Sequence, residues 1–179
     1  EKRERMTYAE ELDYLVSKES RNKFILELCN TISGNTLCLF QLVEKHGKIL
    51  YDGMKEKENV YFVYGGTDTD QRERIRGLVE GHKNSTTIAS YGTFSTGINI
   101  RNIHNIVLAS PSKSKIRVLQ SIGRGLRTSS TKDSILIFDI ADDISYKERR
   151  NFTLNHFFER LNIYNEEQFN YEISKVKIK

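Results

Sequence analysis

Between residue 20 and about residue 165, short apolar runs alternate with stretches whose apolar residues recur at helical spacing. That alternation is the pattern of a parallel sheet covered by helices on both faces. The strand segments are Thr36 to Leu42, Val60 to Tyr64, Thr86 to Ser90, Asn105 to Ser110 and Ser134 to Ile140. Each is short, mostly apolar and rich in β-branched or aromatic residues, as a strand buried on both sides must be. Helices are predicted at about Val43 to Lys57, Asp68 to Glu80, Lys113 to Leu126 and Ser145 to Leu161. Ahead of them, Met6 to Val16 reads as a short helix, and Ser20 is placed to cap a second one bearing Phe24, Ile25, Leu28 and Ile32, which Gly34 stops. The expected fold is α/β, a doubly wound parallel sheet with helices on both faces.

A chain of 179 residues that is 37% hydrophobic can bury one continuous core. Its apolar stretches fall well short of the roughly 20 residues needed to cross a bilayer, and no charged-then-apolar leader opens it, so a soluble, cytoplasmic protein is expected. Opening on Glu1, it reads as a piece of a longer polypeptide. Cys29 and Cys38 both lie in apolar periodic segments, which favours buried thiols over a disulfide or a metal pair. His46, His82, His104 and His156 are isolated, without the close His/Cys spacing of a zinc site, and no protein-only metal site is expected. A net charge of +4 permits a polyanionic partner without requiring one.

From Lys113 the chain reads K-S-K-I-R-V-L-Q-S-I-G-R-G-L-R. At 100° per residue Gln120, Arg124 and Arg127 share one narrow arc, while Val118, Leu119, Ile122 and Leu126 lie broadly opposite. One face can then pack on the sheet while the other presents a carboxamide and two permanently charged, planar guanidiniums that suit phosphate oxygens. A basic helix face can also be plain solvated surface. Gly123 and Gly125 argue for more, because a glycine inside a helix costs roughly 1 kcal/mol relative to alanine. Close packing or close approach of a ligand would account for them.

Gln120 to Arg127, Q-S-I-G-R-G-L-R, resembles the last motif of superfamily 2 nucleic-acid helicases: Gln or His, then Gly-Arg, then Arg three residues on. The resemblance implies a RecA-like lobe of the P-loop NTPase type. It casts Arg127 as an arginine finger reaching the γ-phosphate of ATP on the other lobe, Arg124 as its neighbour, and Gln120 as a polar bridge at the cleft. A guanidinium that meets developing phosphoryl charge only when two lobes close would couple hydrolysis to conformation.

Upstream, Ser95-Thr-Gly-Ile-Asn-Ile100 resembles the family's Gly-Ile-Asp motif, which implies nucleotide and nucleic-acid contacts for Gly97 and Asn99. Asn99 stands where many members have Asp, and Tyr91 stands where a phosphate-contacting Thr is common. Asn can still bond a ribose hydroxyl, and Ser90 and Thr93 flank Tyr91 as substitute hydroxyls. Thr36 to Leu42 resembles the first strand of the lobe, with Gln41 as a candidate contact. Tyr64-Gly-Gly-Thr-Asp-Thr-Asp-Gln-Arg72 resembles its second strand and following helix, with Gly66 and Arg72 as nucleic-acid candidates. The ordered set runs from Thr36 to Asp142, and Met6 to Ile32 is similar to the opening helices of phage recombination and repair helicases.

Two matches are decoys. Gly92-Thr-Phe-Ser-Thr-Gly97 has phosphate-loop glycine spacing but continues into Ile98-Asn99, with no lysine for the β- and γ-phosphates. Ile135-Leu-Ile-Phe-Asp139 resembles a magnesium-binding acidic strand, but it follows the arginine motif, so it reads as the last strand. Asp139, Asp142 and Asp143 are then expected to be caps and surface.

The resulting expectation is opening helices over 1–34, a RecA-like lobe over 35–165 and a polar basic tail or link over 166–179. The lobe would be half of an ATP-driven motor on single-stranded or branched nucleic acid, with DNA the expected substrate, inactive on its own. ATP with Mg2+ would be held mainly by an N-terminal lobe of the parent chain. The rival reading is a non-catalytic nucleic-acid-binding module that keeps the fold. A Rossmann-type enzyme is disfavoured by the missing Gly-x-Gly-x-x-Gly turn after the first strand.

Overall fold

The computed structural model describes residues 6–95, 102–113, 115–120 and 134–178. Five strands form one parallel sheet: β1 (Asn35–Phe40), β2 (Val60–Val63), β3 (Ser85–Ser90), β4 (Asn105–Leu108) and β5 (Leu136–Asp139), in the order β2-β3-β1-β4-β5. The helices are α1 (Tyr8–Ser17), α2 (Glu19–Thr31), α3 (Lys48–Asp52), α4 (Thr69–Gly81), α5 (Tyr91–Ser95), α6 (115–120) and α7 (Phe152–Glu166). This is the expected doubly wound, RecA-like architecture.

Alternation along β1 shows why helices cover both faces. Leu37 and Leu39 pack with Val79 of α4, Val118 and Leu119 of α6 and Ile163 of α7, whereas Cys38 and Phe40 pack with Ile25 and Cys29 of α2 and Leu50 of α3. Successive strand residues point to opposite faces, so a strand buried on both must be apolar throughout. Cys29 and Cys38 are both buried and free, in the second of these clusters. Burying each such leucine or isoleucine contributes about 1.5–3 kcal/mol against chain entropy.

Several boundaries differ from expectation for local reasons. Ser20 does not cap α2, which begins one residue earlier at Glu19 with Lys18 as an N-cap lacking a side-chain bond. The α2 helix stops at Thr31, and Gly34, at φ +98°, turns the chain into β1. The helix expected over Val43 to Lys57 opens as a π-helical turn, Val43–Gly47, continues as α3 and ends at Asp52. The last helix starts at Phe152 rather than Ser145 and runs on to Glu166. Its start is set from α1: the buried Glu11 carboxylate accepts the N–H groups of Phe152 at 2.9 Å and Thr153 at 2.7 Å and the Thr153 hydroxyl at 2.8 Å. A carboxylate here satisfies donors that the helix leaves unpaired and meets the positive end of its dipole. These bonds, with one from the Asn151 amide, hold the Glu11 carboxyl below its usual range even though burial pulls it upward.

Candidate nucleotide and nucleic-acid interface

Parallel strands bring their carboxyl ends to one edge of the sheet, where ligands of open α/β sheets bind. Along that edge, in the spatial order of the strands, lie residues 64–67 after β2, Ser90 to Thr93 after β3, Gln41 after β1 and Ser110 to Ser112 after β4. All five nucleic-acid candidates in the described region, Gln41, Gly66, Arg72, Ser90 and Thr93, are on or beside these segments. The chain leaves β1 toward β2 on one side and β4 toward β5 on the other. The gap between the ends of β1 and β4 is therefore the topological switch point, the usual site of a ligand crevice.

Gln41 stands at that switch point, and it is held there. Its N–H donates to Ser110 Oγ at 2.9 Å, and the Ser112 hydroxyl donates to its Oε1 at 3.0 Å. Gln41 is exposed, and with Oε1 occupied, the group it offers a ligand is its NH2. Behind it runs a buried relay. Asn22 Nδ2 donates to the Val16 carbonyl at 2.8 Å, so its Oδ1 must accept from His46 Nε2, 3.1 Å away, and His46 Nδ1 then accepts from the Ser110 hydroxyl at 2.7 Å. Both imidazole nitrogens are thus used in the neutral form. Burial, with the charges of Arg21 and Lys115 nearby, lowers His46 to about 3. The π-helical turn aims His46 inward between α2 and β4, a device often found at functional sites.

The other candidates are turned to structural work on this edge. Arg72 donates from Nε to the Thr67 carbonyl at 2.8 Å and from Nη2 to the carbonyls of Gly65 at 2.9 Å and Tyr64 at 3.3 Å, clasping the loop that carries the exposed Gly66. Asp68 caps α4 by accepting the Gln71 N–H at 2.8 Å. Ser90 and Thr93 are buried, their hydroxyls 2.7 Å apart, and the Thr93 N–H donates to Ser90 Oγ. Tyr91, the residue in place of the expected threonine, is also buried, and its hydroxyl donates to the Ser110 carbonyl at 3.0 Å. Gln120 is half-buried on α6, one residue beyond the fully buried Leu119, as the face pattern predicts. Gly97, Asn99, Arg124 and Arg127 lie outside the described residues.

Sequence reasoning misplaced two acids. Asp139 is not a cap but the centre of an ionic cluster: it accepts from Lys115 Nζ at 2.9 Å, from Arg160 at 2.6 and 3.0 Å, and from the Tyr164 hydroxyl. Asp142 pairs with Arg21 through Nε at 2.7 Å and Nη2 at 2.9 Å. Asp143, by contrast, is exposed and accepts the Ser145 N–H. Burial alone would raise the Asp139 carboxyl, but Lys115 and Arg160 beside it hold it well below the usual carboxylate range. No local pattern announces these pairs, since the partners are 21 to 25 residues apart for Asp139 and 121 for Asp142.

Among the described residues no group of three or more His, Cys, Asp or Glu side chains is arranged to hold a metal ion, and no helix is long and apolar enough to cross a membrane. The donors on the carboxyl edge are amide and hydroxyl groups, which fit phosphate oxygens rather than a cation.

Comparison with known proteins places this arrangement. The profile of the helicase conserved C-terminal domain matches residues 8–129. The chain is 37% identical over 186 residues to the ATP-dependent DNA helicase uvsW of Enterobacteria phage T4, covering 96% of this chain and 37% of that protein. The Saccharomyces cerevisiae protein IRC3 is 34% identical over 103 residues, 56% of this chain and 15% of its own. Among solved structures, T4 UvsW matches with a TM-score of 0.81 over 96% of this chain and 37% of that one. The C-terminal domain of the DEAD-box protein Dbp5, 16% identical, shares the fold at a TM-score of 0.57 over 88% of this chain and 83% of its own. This chain therefore spans little more than a third of the length of UvsW, and it belongs to the helicase conserved C-terminal domain family.

Proposed function

We propose that this chain is the second motor lobe of an ATP-dependent helicase or translocase acting on DNA in recombination, repair or replication. Its proposed partner is an N-terminal RecA-like lobe of the same parent polypeptide. The observation that carries the reading is the carboxyl edge itself, where Gln41, the 64–67 loop, Ser90 and Thr93 stand side by side and α6 begins. The sequence of α6 runs on into Gln120, Arg124 and Arg127.

On this reading Gln41 donates to a strand phosphate or sugar from its NH2, and the loop clasped by Arg72 offers backbone N–H groups beside it. Contacts of this kind position a backbone without reading bases, so binding should be salt-dependent and nearly indifferent to sequence. Arg127 and Arg124 complete a nucleotide site whose phosphate loop and Mg2+ ligands belong to the other lobe. When bound there, ATP supplies the phosphoryl transfer whose developing charge Arg127 meets on closure. Gly97 and Asn99 face the same nucleotide. The cytoplasm of a phage's host is the compartment this reading implies.

The test compares strand-stimulated ATP hydrolysis by this chain alone with that of its parent polypeptide. Turnover only in the parent is expected. Turnover by the isolated chain would contradict the second-lobe reading, and strand binding without turnover in either would favour a binding module that keeps the fold.

A further inference from the structure

The ionic cluster behind the carboxyl edge has no task in the contacts described so far. Lys115, at the start of α6, is 0% exposed, and its ammonium donates to Asp139 Oδ1 at 2.9 Å and to the Ile140 carbonyl at 2.6 Å. The charged and titratable groups around it come from every neighbouring element. These are Asp139 from β5, Arg160, Tyr164 and His156 from α7, Arg21 of α2 with its partner Asp142, and His46 from the π-helical turn. Two cations, Lys115 and Arg160, share one carboxylate, so the inner cluster carries an excess positive charge. An ion pair so deeply buried adds little net stability over a well-packed apolar pair, but it does fix geometry.

The geometry fixed is that of α6. Its first backbone bonds are long, Lys115 N–H to Ser112 carbonyl at 3.3 Å and Ile116 N–H to Lys113 carbonyl at 3.2 Å, which leaves the Lys115 side chain as the firm tether to β5 and α7. We infer that Lys115 is a positioning residue that pins the start of α6 to Asp139 and thereby aims Arg124 and Arg127 at the nucleotide. The inference rests on the arginine-finger reading above. Lys115 stands 12 residues before Arg127. In a helix of that length, with a rise of ~1.5 Å per residue, a tilt of about 3° at the pin moves the far end by about 1 Å. Displacements of that size cost roughly 10²-fold in a phosphoryl-transfer site.

The pin is also sensitive to pH. Burial lowers the Lys115 ammonium to about 8 against the opposing pull of Asp139, with Arg160 adding to the lowering. Arg160 does not lose its proton in this range, so Lys115 is the member of the cluster that neutralises. The pin is charged below that value and released as pH rises through it.

The experiment measures kcat and KM for strand-stimulated ATP hydrolysis by the parent polypeptide, from about pH 6.5 to about pH 9.5, for wild type, Lys115→Met and Arg127→Ala. Lys115→Met leaves Asp139 paired with Arg160, so folding should survive, as a melting curve would verify. The expected Lys115→Met result near pH 7 is a kcat about 10-fold lower with KM for ATP unchanged and no alkaline limb. Wild-type kcat should fall through about 8 and converge on that of the variant. Loss of turnover in Arg127→Ala beside a wild-type kcat and pH profile in Lys115→Met would overturn the pin and leave the finger standing. Retained turnover in Arg127→Ala would overturn the finger reading itself. Should Lys115→Met not fold, the wild-type profile decides, and the absence of an alkaline limb overturns the pin.

Discussion

The carboxylate of Glu11, on α1, accepts the backbone N–H of Thr153 at 2.7 Å and so fastens the first helix of the chain to the start of the last, 142 residues away. Together with its bonds to Phe152 and to the Thr153 hydroxyl, it acts as a long-range N-cap. Glu11→Gln keeps the shape, removes the charge and turns one acceptor into a donor, and it should destabilise the fold by about 1–2 kcal/mol, read as a lower denaturant midpoint. Because the folded carboxyl titrates below its unfolded value of 4.5, its contribution is full above that pH and is lost as pH falls through the folded value. The variant should lack this part of the acid sensitivity.

His46 gives a second acid response in a different window. It is neutral in the fold with a value of about 3, against 6.5 when unfolded. The unfolded chain therefore binds the extra proton between those two values, and stability is retained above 6.5 and falls as pH is lowered toward 3, by on the order of 1 kcal/mol per pH unit. Chemical denaturation at about pH 7 and about pH 5 measures it, and His46→Gln should flatten the difference while loosening Gln41 through Ser110.

Asp139→Asn should be among the most damaging single changes in the chain. It leaves Lys115 and Arg160 buried without their shared anion, and breaking a buried pair in this way costs about 3–5 kcal/mol. Thermal melting of the variant checks it, and a loss below about 1 kcal/mol would mean that solvent reaches the cluster.

Gly47→Ala tests the π-helical turn. A Cβ on Gly47 would stand 2.5 Å from the Phe40 ring, so ring or turn must shift, at about 1–3 kcal/mol. The same shift should weaken the His46 to Ser110 bond and, with it, strand binding by the parent polypeptide.

Much of the framework is legible in the sequence because it depends on local periodicity. The period of two along Leu37 to Phe40 and the face of α6 set by Val118 and Leu119 were both readable, and each matches the burial found. What was not readable depends on partners far apart in sequence. Ser20 has the chemistry of a cap, but α2 begins one residue before it, while the α7 cap is Glu11, which no residue near 152 announces. Asp139 and Asp142 look like surface acids until Lys115, Arg160 and Arg21 are brought beside them. Ser110 and Ser112 went unnoticed as the holders of Gln41 because a serine after a strand carries no signal without its neighbour across the switch point.

The central claim is that Arg127 serves a nucleotide bound by a second lobe, and one measurement tests it most directly. Strand-stimulated ATP hydrolysis by the parent polypeptide should fall about 10³-fold or more in Arg127→Ala, with binding to single-stranded DNA retained. Unchanged turnover in that variant would contradict the claim.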